Sequence, residues 1–209
     1  MDSTSAPIAQ AFAAFKKEFR HQPEGRKEQM KRFVLENFGD KSISVLDIGG
    51  GKFPLFSMDE VPPTWRYTVN DIAAEELAQL PPGYQTLHAD ICDDLPEQRA
   101  RYDLLFSSML AEHIPDSRRF YESQYELLKE NGVGLHLHPT LYALPFVLNW
   151  LAPNALTKKI VQTLKPHRIK RQPVFPAFYD WCTARNQEIA RRRTVGFTHV
   201  DVAINYHHH

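Results

Sequence analysis

Cysteine is scarce: Cys92 and Cys182 are the only two among 209 residues. That is too few to staple a fold with disulfides, so a reducing, cytoplasmic setting is expected. Long hydrophobic runs are missing as well. The most apolar stretch, "LYALPFVLNWLAP", is broken by two prolines and Asn149, short of the roughly 20 residues that span a bilayer. The opening "MDSTSAPIAQ" lacks the basic region and apolar core of a secretory leader. No internal repeat or low-complexity tract is visible. Net charge is absent too, with 25 Lys and Arg against 25 Asp and Glu. The terminal His207, His208 and His209 have the composition of a purification tag and are excluded from fold reasoning.

What remains is the composition of a single globular domain with a sizeable core: 43% hydrophobic and 24% charged. The balanced charge is unevenly spread. Residues 141–209 hold 10 basic and 3 acidic residues, so residues 1–140 hold 15 and 22. This asymmetry points to an anionic partner for the C-terminal third and says nothing about fold.

Two helices are expected in residues 1–40. "AQAFAAFKKEF" puts Phe12, Phe15 and Phe19 on one helical face. "PEGRKEQMKRFVLENFG" does the same with Met30, Phe33, Val34 and Phe38 and stops at Gly39 as a C-terminal cap. Strands are then expected over 43–48, 65–70, 84–88, 102–107 and 132–138, with helices over 73–80 and 117–130, the second closed by the turn "ENG". Apolar strands alternating with helical crossovers predict an α/β fold, a parallel sheet covered on both faces. Residues 141–176 break the rhythm with apolar helical pieces and a Pro-punctuated basic linker, and read as an insertion over the sheet. A helix over 177–192 and a last strand in "GFTHVDVAINY" complete the expectation.

The apolar run "SISVLDI" is followed at once by Gly49, Gly50 and Gly51. Ligands of open parallel sheets sit beyond the carboxyl ends of the strands, where glycine lets a ligand touch backbone without meeting a Cβ. Asp71, twenty residues on at the tip of the second strand, is placed to accept from both hydroxyls of a ribose. Glycine loop plus acid signals a nucleoside cofactor. A dinucleotide fingerprint needs a third glycine, and here Gly51 is followed by Lys52, Phe53 and Pro54. No G-x-x-x-x-G-K-[ST] triphosphate loop is present either.

Five segments in order, "VLDIGGG", "VNDIAAEEL", "HADICD", "YDLLFSSMLAEHI" and "LLKENGVGLHLHPT", resemble the motifs of the class I S-adenosylmethionine (SAM)-dependent methyltransferases, in particular the small-molecule group called type 11. The likeness covers residues 42–138 and implies a Rossmann-like sheet. It implies that Asp47 and Gly49, Gly50 and Gly51 line the methionine and ribose part of SAM, and that Asp71 holds the ribose hydroxyls. Ile72 would lie on the adenine face, Asp90 and Ile91 at the adenine edge, and Ser107, Ser108 and Met109 along the cofactor after the fourth strand. Where the family has its third glycine this chain has Phe53 and then Pro54, which alters the turn into the next helix.

Because SAM carries its own activated methyl, the protein mainly positions the acceptor, with a general base where a proton must leave. His113, just after the fourth strand, and His138, near the end of the fifth, are the candidates. His136 and His138 lack a third ligand of convincing spacing, so no metal is expected. "LYALPFVLNWLAP" offers an apolar wall, and Lys158, Lys159, Lys165, Arg168, Lys170 and Arg171 a basic rim. An amphipathic small-molecule acceptor with an acidic group suits both. RNA is the rival acceptor, resting on "ARRR" (190–193) and the linker. A methyltransferase-like binding protein without turnover is the third reading.

Overall fold

The computed structural model describes residues 5–19, 25–139, 178, 180–182 and 185–203. Helices α1 (Ser5–Glu18) and α2 (Arg26–Phe38) lead into strand β1 (Ser44–Ile48). Then come β2 (Arg66–Asp71), α3 (Ala74–Leu77), β3 (Gln85–His88), β4 (Tyr102–Ser108), α4 (Ser117–Leu127), β5 (Leu128–Leu137) and α5 (Arg185–Val195). A single 3-10 turn over Ala111–His113 follows β4.

The five strands form one sheet in the order β3-β2-β1-β4-β5, and every pairing is parallel. The chain starts at the centre, steps outward to β3, and crosses back to place β4 on the other side of β1. Connections therefore leave β1 and β4 in opposite directions, which opens a crevice beyond their carboxyl ends.

Alternation along the strands builds two apolar layers. Val45, Leu104 and Phe106 face one side, packed with Met30, Phe33, Val34 and Phe38 of α2. Leu46, Ile48 and Leu105 face the other, against Phe120, Tyr121 and Leu127 of α4. α4 is started by Asp116, whose side chain accepts from Arg119 N–H as an N-cap. On α1, Phe12 and Phe15 pack on the ring of Phe33 at 5.8 and 4.9 Å, as the three-and-four spacing predicts.

No helix forms between β1 and β2; residues 49–65 are turns and bends. Pro54, Pro62 and Pro63 have no N–H to give a helical ladder. Leu55 and Phe56 plug the core in its place, Phe56 edge-on to Trp65 and Tyr67 at 5.5 and 6.1 Å. This is more than an altered turn into a helix.

Three further boundaries differ from expectation. α4 ends at Leu127 and β5 begins at once, because Leu128 already pairs with Tyr102. The "ENG" segment then lies in an irregularity within β5, Asn131 taking a positive φ of 62°. α3 is a four-residue helix. α5 runs over Arg185–Val195 instead of 177–192. The expected last strand is not formed in its described part, 196–203. The apolar and basic pieces of 141–176 lie outside the described residues, and among the described residues no helix is long and apolar enough to cross a membrane.

Candidate functional site

The loop after β1 lies in the crevice. Gly49 and Gly51 have φ of +68° and +47°, a region that side chains seldom enter. A Cβ on Gly49 would stand 2.9 Å from the Leu110 side chain, and one on Gly51 would stand 2.9 Å from Asp71 Oδ2. So the first glycine touches the loop after β4, and the third lies against the acid at the end of β2. Gly50 N–H donates to the Asn70 carbonyl at 3.0 Å and pins the loop across β2.

Asp71 is half-buried and accepts from Ala73 N–H through Oδ1 at 2.9 Å. Burial holds its carboxyl above the ordinary range, with the nearby Glu76 and Glu75 adding to the rise. Glu76 is paired to Lys52 at 3.1 Å. A carboxylate with Oδ2 turned toward bare glycine backbone suits a pair of hydroxyl donors, so the residues present fit a ribose. Ile72 is 64% exposed beside it, and Asp90 closes its own turn by accepting from Cys92 N–H at 2.9 Å.

Met109 follows β4 with a φ of 58°, its N–H held by the Leu137 carbonyl at 2.7 Å and its side chain 53% exposed. A left-handed methionine is strained, and such strain collects at functional edges. Ser108 is partly exposed next to it. Phe53, in place of the family's third glycine, is 64% exposed with Lys52 Nζ 5.6 Å from its ring centre.

Other expected contacts lie deeper. Asp47 is buried, and its Oδ2 accepts from Leu55 N–H at 2.6 Å and Tyr67 O–H at 2.7 Å. Burial pushes its carboxyl up to about 6 despite those bonds. Asp47 thus holds the helix-free loop in place. Ser107 is fully buried against His136 Nδ1 at 2.9 Å. Ile91 is buried in the α4-side core.

His138 is corrected as a base. Its side chain is buried; Nε2 accepts from Arg192 Nη2 at 3.2 Å, and Nδ1 donates to the Pro139 carbonyl at 3.2 Å. No lone pair remains to take a proton. Burial, with Arg192 beside it, lowers its pKa to about 4. His113 is partly exposed on the turn after β4, beside the buried Glu112, with Nε2 3.9 Å from Glu112 Oε1. Among the described residues no group of three His, Cys, Asp or Glu can hold a metal.

Sequence reasoning missed the network behind β5. Glu188 and Arg192 are spaced like a solvent-exposed helical pair. Here Glu188 is buried and joined to the partly buried Arg192 at 3.0 Å, with the guanidinium 4.7 Å from the centre of the Tyr121 ring. Arg191 lies over Trp181. The "ARRR" run therefore spends two of its three arginines on packing.

A Rossmann-like parallel sheet with a bare glycine loop and an acid at the next strand tip defines the nucleoside-cofactor class of α/β domain. The family described as methyltransferase domain matches residues 19–172, and the chain belongs to it; the likeness to class I SAM-dependent methyltransferases is borne out. Among solved structures, a putative methyltransferase from Bacillus halodurans is 15% identical over 80% of this chain and 68% of its own, with a TM-score of 0.54. The YcgJ protein from Bacillus subtilis is 14% identical over the same shares, also at 0.54. The CurJ carbon methyltransferase is 18% identical over 92% of this chain and 52% of its own, at 0.52. The chain spans only about half the length, 45% and 52%, of the first two solved structures it matches. No curated protein matches it.

Proposed function

We propose that this protein transfers the methyl group of SAM to a small-molecule or lipid-like acceptor in the cytoplasm. The observation that carries the reading is the contact of Gly51, at positive φ, with Asp71 at the switch point of the sheet. Bound there, SAM would supply a methyl group already activated on a positive sulfonium.

The chain's own residues do the rest. Gly49, Gly50 and Gly51 present backbone in place of side chains, and Asp71 accepts from the ribose hydroxyls. Ile72 offers an apolar face to the base, and Asp90 and Met109 border the same edge. His113 is the proton acceptor for an acceptor group that must lose a proton. The partly buried, ion-paired Arg192 and Arg191 over the Trp181 ring leave little of "ARRR" for a nucleic-acid backbone.

The acceptor's character rests on sequence alone. Residues 141–171 are apolar in their first half and basic in their second, and they suit an apolar body with an acidic group. Both flanks of this segment are anchored at the carboxyl edge: Met109 N–H holds the Leu137 carbonyl, and Phe178 N–H donates to the Glu112 carbonyl at 2.8 Å.

Calorimetry is the test. SAM or S-adenosylhomocysteine should bind and NAD should not. Asp71→Ala should weaken binding by about 1.5–3 kcal/mol, the scale of charge-assisted hydrogen bonds. Unchanged affinity in that variant overturns the site. SAM binding without transfer to any acceptor tried would favour the binding protein over the enzyme.

A further inference from the structure

The glycine loop bends at Gly51 and Lys52, closed by Phe53 N–H donating to the Gly50 carbonyl at 3.0 Å. Gly51 offers bare backbone there, and two acids reach it. A Cβ on Gly51 would stand 2.9 Å from Asp71 Oδ2 and 3.5 Å from Glu76 Cβ. Asp71 ends β2 and Glu76 lies on the short α3 that follows, so the chain doubles back and sets both carboxylates beside one glycine.

Lys52 is the next residue of the same bend. Its Nζ meets Glu76 Oε1 at 3.1 Å and lies 5.6 Å from the centre of the Phe53 ring. A fully exposed pair of this kind contributes little, because water screens it. Here the two side chains are only 22% and 24% exposed, and they flank the glycine that a ribose would touch. A like charge beside a half-buried carboxylate disfavours its ionised form, and a cation placed on that neighbour offsets the effect. Burial raises the Asp71 carboxyl most, and Glu76 is the next influence in that direction. The other ionisable groups about Asp71 are Glu75 on α3 and His88, paired opposite it on β3, whose Nε2 donates to the Ile72 carbonyl at 3.1 Å.

We propose that Lys52 is a positioning residue for the ribose of SAM: by holding the Glu76 carboxylate on its ammonium, it shields Asp71 from a second negative charge and keeps Asp71 ionised to receive the hydroxyls. This rests on the reading of Asp71 as the ribose acid. An ionised carboxylate accepts through both oxygens, whereas a protonated one turns one of them into a donor. Asp71 Oδ1 is already taken by Ala73 N–H, so Oδ2 is the oxygen that has to remain an acceptor. The device is compact in the sequence: "GGGK" puts the ammonium one residue after the bare glycine, and "DIAAEE" puts the second acid five residues after the first.

The test is calorimetric titration of S-adenosylhomocysteine into the full chain at half-unit steps from pH 4.5 to 8. In the wild type affinity should fall toward acid as Asp71 takes up a proton, and in Asp71→Asn that fall should flatten. Lys52→Met exposes Asp71 to Glu76, so the ratio of Kd at pH 5 to Kd at pH 8 should grow by about three- to tenfold. Glu76→Gln should bring the ratio below that of the wild type, and Lys52→Met/Glu76→Gln should bring it back from the Lys52→Met value. An equal loss of affinity at every pH in Lys52→Met, or a double variant as steep as Lys52→Met, overturns the proposal.

Should Lys52→Met not fold, Glu76→Gln decides alone: a ratio unchanged from the wild type overturns the proposal. Failure of the site itself is read separately. Asp71→Ala that binds S-adenosylhomocysteine as tightly as the wild type overturns both readings. Weakened binding in Asp71→Ala, with an unmoved ratio in the Lys52 and Glu76 variants, overturns the role of Lys52 and leaves Asp71 as the ribose acid.

Discussion

Replacing Asp47 by Asn should change how stability depends on pH in a direction fixed by burial. The folded protein raises this carboxyl from 3.8 to about 6. At about 1.36 kcal/mol per pH unit, that difference corresponds to about 3 kcal/mol. A raised carboxyl binds its proton more tightly folded than unfolded. The stability from the neutral form is therefore complete below pH 3.8 and is lost as pH climbs through about 6. Asparagine keeps an oxygen for Leu55 N–H and Tyr67 O–H but does not titrate. The stability gap between wild type and Asp47→Asn should shift by about 3 kcal/mol in the variant's favour between pH 3.5 and 7. Urea unfolding at half-unit pH steps, followed by tryptophan fluorescence, measures it. Groups common to both proteins cancel in the difference. A gap that stays flat across the range refutes the argument.

Other outcomes follow from geometry already described. Gly51→Ala forces a side chain to a φ of +47° and against Asp71, so SAM binding should weaken by about 1–3 kcal/mol by calorimetry. Phe56→Ala empties the centre of an aromatic cluster and should cost about 3–5 kcal/mol in urea unfolding. His138→Ala removes one acceptor of the partly buried Arg192 and should cost about 1–3 kcal/mol, while the shape of the pH–rate profile persists. Neutralising Lys158, Lys159, Arg168, Lys170 and Arg171 should raise the acceptor's KM and its sensitivity to salt while sparing SAM affinity.

The sheet was legible because its signals are local. Runs such as "SVLDI" and "YDLLFS" are apolar throughout, as strands covered on both faces must be, and glycine punctuation marks where β1 ends. The acid at the tip of β2 follows from strand length alone. What escaped depends on neighbours distant in sequence. Nothing in "LHLHP" announces that Arg192, 54 residues beyond, will occupy the second nitrogen of His138. Nothing in the Glu188–Arg192 spacing separates a surface pair from a buried one. The missing helix after β1 is half visible in Pro54 and the proline pair at 62–63, but nothing in "VLDIGGG" shows that Asp47 will accept from Leu55 N–H and Tyr67 O–H.

Both flanks of residues 140–177 are fastened beside β4, one through β5 and the other through Phe178 N–H on Glu112. A connection held at both ends can be exchanged as a cassette. Closing a connection twice as long costs only about 0.6 kcal/mol more, and the five described strands pair with one another. Length and side chains can therefore be rewritten there while the glycine loop and Asp71 keep their geometry. A platform that keeps its geometry can in this way be fitted to a different acceptor by changing a single stretch of chain.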